Sequence, residues 1–259
     1  MPTTPATVEV DFITPRHLAG GGDPAWITVP LHRACGWSHG DDPLMPRVLL
    51  SSLDQKALLR LEPGPDDQWW ALHHAAEPHR PAWHASFGAR TPVELIAAVT
   101  DTLTDPAPAA DVPCDPYEAL RQAGWTRYFD DGLVSPDSTA YVERPGTPAD
   151  PEAWFFTVTL GTRRKKVWQA RLGAHTPPHL VAAFTAALAD PKPLLRTGSG
   201  RSLPSLDPNI VTRKTTDVLA VLLAGALEDR VQSLAARRPT PPAVRTPVRQ
   251  AQPRASRSR

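Results

Sequence analysis

The sequence contains the stretch WHASFGARTPVELIAAVTDTLTDP at residues 83–106 and a closely similar stretch, WQARLGAHTPPHLVAAFTAALADP, at residues 168–191. With a constant offset of 85 residues and no gap, 13 of the 24 aligned positions are identical. Farther upstream, the same offset aligns Trp69 with Trp154. Self-similarity at a fixed spacing is the signature of a repeated structural unit. The chain is therefore predicted to contain one unit twice.

Each copy of this unit predicts the same order of elements: a short helix, four short strands and a closing helix. β-Branched and aromatic residues separated by Pro, Gly and Asp indicate the strands. In the first copy the helix is expected at 31–35 and the strands at 48–50, 56–61, 69–73 and 83–87. In the second copy the helix is expected at 117–123 and the strands at 126–129, 139–143, 154–160 and 166–172. The predicted fold class is α+β, with an antiparallel meander in each copy.

The closing helices carry recognisable start signals. Thr91 and Thr176 precede proline, which is typical of an N-cap residue followed by the first helical position. Glu94, three residues after Thr91, completes a capping box.

A single unit of this size buries too little apolar surface to be stable alone. We therefore expect the two copies to pack as a pseudo-dimer, either edge to edge or face to face. Residues 8–110 form the first unit and 115–195 the second. Apolar residues at helical spacing predict an amphipathic helix over 213–237, with Arg230 as a misfit on its apolar side. This helix is expected either to pack on the duplicated core or to serve as a dimerisation or partner helix.

Basic charge is concentrated at the C-terminus. Residues 238–259 combine Pro, Arg, Ser and Gln with few apolar residues, which predicts a disordered tail. The last 23 residues hold seven arginines and no acid, and the rest of the chain has 21 basic against 27 acidic residues, about −6 in net charge. Such a folded part repels a phosphate backbone, so nucleic-acid binding would depend on the tail or on a local patch. The tail arginines are Arg237, Arg238, Arg245, Arg249, Arg254, Arg257 and Arg259.

Three stretches together resemble a known family: VDFITPRHLAGGGDPAWITVPLHRACGW near the N-terminus, LVSPDSTAYV in the second unit, and the duplicated Trp, Gly-Ala and Thr-Pro pattern. They are similar to the bacterial SPDY domain family, common in actinomycetes, a domain of unknown function that often occurs as two copies. The resemblance covers about residues 8–195 and implies no activity. A Ser-Pro-Asp-Tyr signature matches this chain at Ser135, Pro136 and Asp137, with Ser138 in place of the tyrosine. The first unit matches only at Ser52 and Asp54.

A Ser-Pro-Asp run is also what a turn between two strands requires. Other patterns for catalysis or ligand binding are weak. The run Gly20-Gly21-Gly22 lacks the lysine of a phosphate-binding loop, and no GxSxG motif is present. Cys35 is expected to be a buried structural thiol. We predict no catalytic residue, no cofactor and no metal.

Four histidines lie close together in the first unit: His73, His74, His79 and His84. A metal site needs three or four converging ligands. Because the corresponding stretch of the second unit, FTVTLGTRRKKVWQ, holds no histidine, we expect solvated hairpin residues rather than metal ligands.

Tryptophans at equivalent places in the two units indicate the core of the sheets, although stacking of a ligand on a sheet surface is the alternative. They are Trp69, Trp83, Trp154 and Trp168. Trp70 follows Trp69 and should point to the opposite face, which makes Trp70 the candidate surface aromatic.

The run Arg163, Arg164, Lys165 and Lys166 is the dense basic segment outside the tail. It is expected at the tip of a hairpin, either as a charged turn or as a loop that contacts phosphate groups.

No apolar run approaches the roughly 18 residues needed to span a bilayer, and the N-terminus lacks the pattern of a secretory signal. Two cysteines without a CxxC pair exclude a disulfide framework. We therefore expect a cytoplasmic, non-enzymatic interaction protein whose partner is another protein, with no membrane association. The alternative is a nucleic-acid-associated accessory protein that binds the phosphate backbone through the basic hairpin and the tail. The sequence leaves the oligomeric state open.

Overall fold

The computed structural model describes residues 6–40, 47–64, 67–105, 114–129, 132–147, 152–198 and 203–238. Most of the stretch PAPAADVPCD (106–115), which is predicted to link the two units, and the tail beyond Arg238 lie outside these ranges. The strands of the described part are β1 (Thr7–Thr14), β2 (Ser38–Gly40), β3 (Val48–Ser51), β4 (Ala57–Leu61), β5 (Gln68–His74), β6 (Trp83–Gly88), β7 (Thr126–Tyr128), β8 (Gly132–Val134), β9 (Ala140–Glu143), β10 (Trp154–Leu160), β11 (Lys165–Leu172), β12 (Leu194–Thr197) and β13 (Thr212–Leu219).

Ten of these strands form one antiparallel sheet, in the order β2-β3-β4-β5-β6-β11-β10-β9-β8-β7. The other three form a small sheet, β12-β1-β13. The helices of the described part are α1 (Ala25–Arg33), α2 (Val93–Leu103), α3 (Glu118–Gln122), α4 (Pro178–Ala189) and α5 (Ala220–Ala236). Mixed helices and antiparallel strands confirm the α+β class. None of the described helices is long and apolar enough to cross a membrane.

Each half contributes five strands to the large sheet, where four were predicted. The two that the sequence did not indicate, β2 and β8, are three residues long and contain glycine. Such short segments carry no alternation of apolar and polar residues, so no pattern marks them.

The two halves meet where β6 pairs with β11. Ser86 lies opposite Arg171. Arg171 is also the residue of the second copy that aligns with Ser86 at the 85-residue offset. Ala85 pairs with Leu172 and Phe87 with Ala170, so the pairing is symmetric about the pair Ser86–Arg171. We call this junction the seam.

The core lies between the large sheet and a layer of helices in which α2 packs against α4, α1 against α2, and α3 against α4. Phe184 of α4 contacts both halves, because its ring centroid lies 5.8 Å from that of Phe87 and 4.6 Å from that of Phe156. The indole Nε1 of Trp168 donates a hydrogen bond to the carbonyl of His17 at 2.7 Å. The segment that follows β1 therefore lies on the helical side of the sheet.

The small sheet corrects the predicted helix over 213–237. Residues Thr212–Leu219 form strand β13, paired with β1, and the helix occupies only Ala220–Ala236. Val218 and Leu219 therefore belong to the strand and not to an apolar helical face. Three of its eight residues are threonines, which favour strand over helix. The partner strand lies about two hundred positions away, so the pairing leaves no local signal.

Arg230, the predicted misfit of α5, lies on the buried side of that helix. Its guanidinium donates to both Asp101 carboxylate oxygens at 2.8 and 2.9 Å, and its Nε donates to the carbonyl of Trp26 at 2.8 Å. The arginine thus fixes α5 to α2 and α1, together with the buried Val231 and Leu234. This packing on the core is one of the two roles expected for the helix.

The predicted N-caps are wrong. Helix α2 begins at Val93, whose N–H donates to the carbonyl of Gly21 at 2.7 Å, and α4 begins at Pro178. Because extended prolines separate them from the helix starts, the buried hydroxyls of Thr91 and Thr176 have no hydrogen-bond partner. Glu94 forms no capping box. Its carboxylate instead accepts hydrogen bonds from Arg196 at 2.6 and 2.9 Å.

Candidate functional site

The large sheet is covered by helices on one face, and the other face is open in the described part of the chain. Burial alternates along the central strands. In β6, Trp83, Ala85 and Phe87 are buried whereas His84 is exposed. In β11, Ala170 is buried whereas Arg171 is exposed. This alternation is typical of a sheet with one packed and one accessible face.

A row of side chains crosses the open face through both halves. Successive strand pairings place Arg60 beside Ala71, Ala71 beside Ser86, Ser86 beside Arg171, and Arg171 beside Phe155. The two small side chains lie at the centre of this row, between two exposed arginines. The guanidinium of Arg171 lies 5.7 Å from the centre of the Phe155 ring. The row therefore presents two arginines and the Phe155 ring around small side chains, with Glu62 3.7 Å from Arg60 and Glu143 beside Phe155. We call it the central row.

Trp69 lies beside this row and corrects the choice of Trp70 as the surface aromatic. Trp69 is 38% exposed, whereas Trp70 is 2% exposed. A bulge between Gln68 and Trp70 shifts the register of β5. Consequently Trp70 pairs with Phe87 in the way that Trp154 pairs with Leu172. A slip of one residue exchanges the faces of a strand, so Trp70, Trp83, Trp154 and Trp168 are the equivalent core residues.

Two of the four histidines of the first unit, His73 and His84, lie on the open face, whereas His74 lies on the face that carries the buried Trp83. His73 and His84 are cross-strand neighbours with ring centroids 6.3 Å apart, and His74 stacks on Trp83 at 5.4 Å. Burial, followed by the nearby His84 and Arg60, lowers the pKa of His73. In the described part of the chain, no three His, Cys, Asp or Glu side chains are grouped closely enough to hold a metal ion.

The basic run spans the end of the turn between β10 and β11 and the first two residues of β11. Arg163, Lys165 and Lys166 are exposed there. Arg164 is bound to the sheet instead: it donates to the Tyr128 hydroxyl at 2.7 Å and lies 4.7 Å from the centre of the Tyr141 ring. Three exposed cations therefore flank Arg164, which anchors this part of the hairpin to the sheet.

The tail arginines contribute little to the described structure. Arg237 follows the last turn of α5, and Arg238 donates to the carbonyl of Ala34 at 3.2 Å. The remaining five, Arg245, Arg249, Arg254, Arg257 and Arg259, lie outside the described residues.

The Ser-Pro-Asp stretch forms a turn that the chain builds twice. In the second half, the Ser135 hydroxyl donates to Asp137 and accepts from the N–H of Ala140 at 2.9 Å. In the first half, Ser52 donates to Asp54 at 2.6 Å and accepts from the N–H of Ala57 at 2.9 Å. The third residue after each serine has a positive φ, 58° and 59°. The signature residues therefore hold a strand-to-strand turn.

The second turn also lines a cavity of about 570 Å³, together with Trp125, Arg16, His17 and the end of α4. His17 Nε2 lies 3.2 Å from an Asp137 carboxylate oxygen and 2.7 Å from the Thr139 hydroxyl. Burial raises the pKa of Asp137, but the hydrogen bond and charge of His17 and the Ser135 hydroxyl lower it more, so the net shift is downward.

This cluster is not arranged like a catalytic triad. A triad serine donates to the histidine, which the aspartate orients. Here Ser135 donates to Asp137, and its side chain is buried. Arg16, the other cation of the cavity, is paired with Asp190 at 3.3 Å and with the carbonyl of Ala187 at 2.7 Å. The charged groups of the cavity are thus paired with one another, although the Nε of Arg16 is buried without a hydrogen-bond partner. Cys35 is buried, and burial raises the pKa of its thiol.

The fold and these surfaces define a duplicated α+β protein with one accessible sheet face. The model of the SPDY family, a domain of unknown function (DUF317), matches the chain twice, over residues 51–109 and 134–194. The family model thus matches one segment in each half of the chain, which confirms the resemblance. No curated protein and no solved structure matches the chain.

Proposed function

We propose that the protein is a non-enzymatic interaction protein that binds a protein partner on the open face of its ten-stranded sheet. One observation carries the proposal: among the described residues, helices cover one face of the sheet only, and the other face exposes Trp69 beside the central row. Tryptophan and arginine are the residues most enriched among those that dominate protein–protein binding energies. Trp69, Arg60 and Arg171 supply that combination on one surface.

The charges of this face indicate the chemistry of the partner. Arg60 and Arg171 flank small side chains, and Phe155 and Leu58 add apolar surface, Leu58 being 37% exposed. A protein segment with acidic and apolar side chains would complement both features. Such a segment could lie across the strands over Ala71 and Ser86, where short side chains leave room for it.

The proposed face depends on both units. Because the central row crosses the seam, Arg60 comes from the first unit and Arg171 and Phe155 from the second. We infer that the two units act as a pseudo-dimer joined edge to edge, and the symmetric pairing about Ser86 and Arg171 supports this inference. The Ser135 hydroxyl donates to Asp137 and not to a histidine, which supports a binding role rather than a catalytic one.

A photoreactive amino acid at position 69 tests this function in cells that produce the full chain. We expect a discrete crosslinked species from position 69 and none from position 53, because Leu53 is 67% exposed but lies at the Ser52 turn, away from the central row. The partner identified in this way, once purified, should bind the Arg171→Glu variant at least about tenfold more weakly than it binds the wild-type protein. Equal crosslinking from both positions, or none from position 69, would contradict the proposal.

The exposed cations of the hairpin favour a second candidate function, binding of nucleic-acid backbone. Arg163, Lys165 and Lys166 flank Arg164, whose guanidinium contacts Tyr128, and the neighbouring Phe129 is 80% exposed. Exposed aromatics beside basic side chains are typical of single-strand binding surfaces. The tail would add its seven arginines.

Fluorescence anisotropy with generic duplex and single-stranded DNA, at low and moderate salt, tests this second candidate. The triple variant R163A/K165A/K166A should reduce the slope of log affinity against log salt by about 2 to 3. Truncation after residue 236 should reduce the affinity further. Absence of binding at low salt, or binding that survives both changes, would exclude this role for the hairpin and the tail.

A further inference from the structure

Strand β13 is an unpaired edge of the small sheet. It lies last in the order β12-β1-β13, and all its residues from Thr212 to Asp217 are exposed. An eight-residue edge strand without a bulge or proline is a template for pairing with another chain. In the described part of the chain, no strand pairs with its outer side.

The outward backbone groups of β13 can be assigned. The N–H of Ala220 donates to the carbonyl of Ala6 at 2.9 Å, which extends the β1–β13 register. Residues of an antiparallel strand alternate between bonding to one neighbour and facing away from it. The N–H and C=O groups of Arg213, Thr215 and Asp217 therefore point outward.

We propose that two copies of this chain dimerise by antiparallel pairing of their β13 strands, with Thr215 opposite Thr215 of the second copy. A twofold axis at this position continues the small sheet through both copies into six strands. It also places Arg213 opposite Asp217 of the second copy, twice. Opposite charges and threonine pairs at directly facing positions stabilise antiparallel strands.

The charges select this register over its neighbours. An axis at Lys214 would oppose two lysines, and an axis at Asp217 would oppose two aspartates. An axis at Thr216 would place Asp217 opposite Thr215, without a charged partner. The register at Thr215 is thus the one among these that pairs opposite charges directly.

Within one chain, two acidic side chains of the small sheet face each other, and this dimer would offset their repulsion. Within the chain, Asp217 faces Glu9 of β1 in the ladder, and like charges directly opposite are unfavourable. Arg213 of the second copy would lie on the other side of Asp217 and offset that repulsion. Arg213 already contacts Asp11 within its own chain at 2.7 Å, so its position is fixed before pairing.

Exposed apolar side chains at the two ends of β13 point to the same arrangement. Val221 and Leu222, which follow the strand, are 71% and 60% exposed, and Leu206, which precedes it, is 73% exposed. Antiparallel pairing brings the end of one strand beside the start of the other. Each dimer would therefore place Val221 and Leu222 of one copy near Leu206 of the second, twice.

Sedimentation velocity of the full chain, from low to high micromolar concentration, tests the proposal. Wild type should form a dimer, and Asp217→Asn should dimerise about 2- to 30-fold more weakly, because two facing charge pairs are lost. Asp217→Arg should weaken the dimer about tenfold or more. At a concentration where both proteins are monomeric, its thermal midpoint should not fall below that of wild type, because Arg at 217 would face Glu9 favourably. Lys214→Glu is the matched control, since Lys214 faces Thr216 of the second copy, and should leave the dimer unchanged.

A wild type that stays monomeric over the whole range overturns the proposal. So does an Asp217→Arg variant that dimerises as wild type does, or a Lys214→Glu variant that weakens the dimer as strongly. If Asp217→Arg does not fold, Asp217→Asn decides the question, because it changes neither side-chain size nor strand preference greatly.

Discussion

Arg230 of α5 and Asp101 of α2 form a two-pronged ion pair in a largely buried position, with side chains 15% and 17% exposed. The pair joins a helix from the C-terminal end of the chain to one from the first unit. Its position explains why a charged residue interrupts the apolar face of α5. The guanidinium also lies 5.1 Å from the centre of the Trp26 ring.

Removal of the arginine alone should therefore be costly. We expect Arg230→Met to lower the free energy of unfolding by about 3 kcal/mol, because it leaves the Asp101 carboxylate buried without a partner. The double variant R230M/D101L should lose less than the sum of the single changes, with a coupling of about 1 to 3 kcal/mol. Urea unfolding measures both quantities. Additive losses would show that the pair does not hold the helices together.

Substitution of the adjacent residues Trp69 and Trp70 should change the stability of the protein to very different extents. Trp70→Ala should lower the free energy of unfolding by about 3 to 5 kcal/mol, since it empties a core position. Trp69→Ala should change it by less than about 1 kcal/mol, because its side chain lies on the open face. Urea denaturation compares the two directly. Comparable losses would place both side chains in the core.

The seam should not tolerate added side chains. A Cβ at Gly173 would lie 3.0 Å from the carbonyl oxygen of His84, and one at Gly88 would lie 3.2 Å from that of Gln169. We expect Gly173→Ala and Gly88→Ala each to cost about 1 to 3 kcal/mol of stability. Gly225→Ala is the control, because nothing lies within 4 Å of its Cβ position, and it should stabilise α5 by up to about 1 kcal/mol. Thermal and urea unfolding measure all three, and seam variants as stable as wild type would contradict the tight pairing.

The two Ser-Asp turns provide a matched test of pH dependence. The pKa of Asp137 is lowered in the folded state: burial raises it, but His17 and Ser135 lower it more. A folded-state pKa below the unfolded value means that the native state binds fewer protons. Its contribution to stability is therefore present above about pH 4 and is lost as the pH falls below that value.

Asp137→Asn should accordingly flatten the loss of stability between about pH 5 and pH 2. Asp54→Asn is the same change in the equivalent turn of the first half, which has no histidine beside it. In that turn the Ser52 hydroxyl lowers the pKa of Asp54. The flattening should be smaller for Asp54→Asn. Unfolding free energies measured across this pH range decide the point, and equal slopes for the two variants would remove His17 from the explanation.

The repeated motif predicted the central strands and both closing helices, because it combines apolar periodicity with Thr-Pro and Asp-Pro boundaries. It could not predict the face of Trp69, since two adjacent tryptophans have equal hydrophobicity and a bulge decides which one is buried. The pairing of β1 with β13 joins segments that are distant in the sequence, so neither segment contains a pattern that indicates its partner. His17 is similar: the Asp137 turn that it contacts is remote in sequence, and nothing near His17 predicts that contact.

The seam also has a consequence for what a duplicated gene can encode. In a homodimer, a residue on the twofold axis faces an identical copy of itself, so an arginine at this place would meet an arginine. Covalent duplication removes that constraint, because the two positions are encoded separately. Ser86 opposite Arg171 is an asymmetric pair of this kind, at the centre of an otherwise symmetric junction. The fused chain can thereby present a single cation in the middle of its open face, an arrangement that two identical subunits cannot produce.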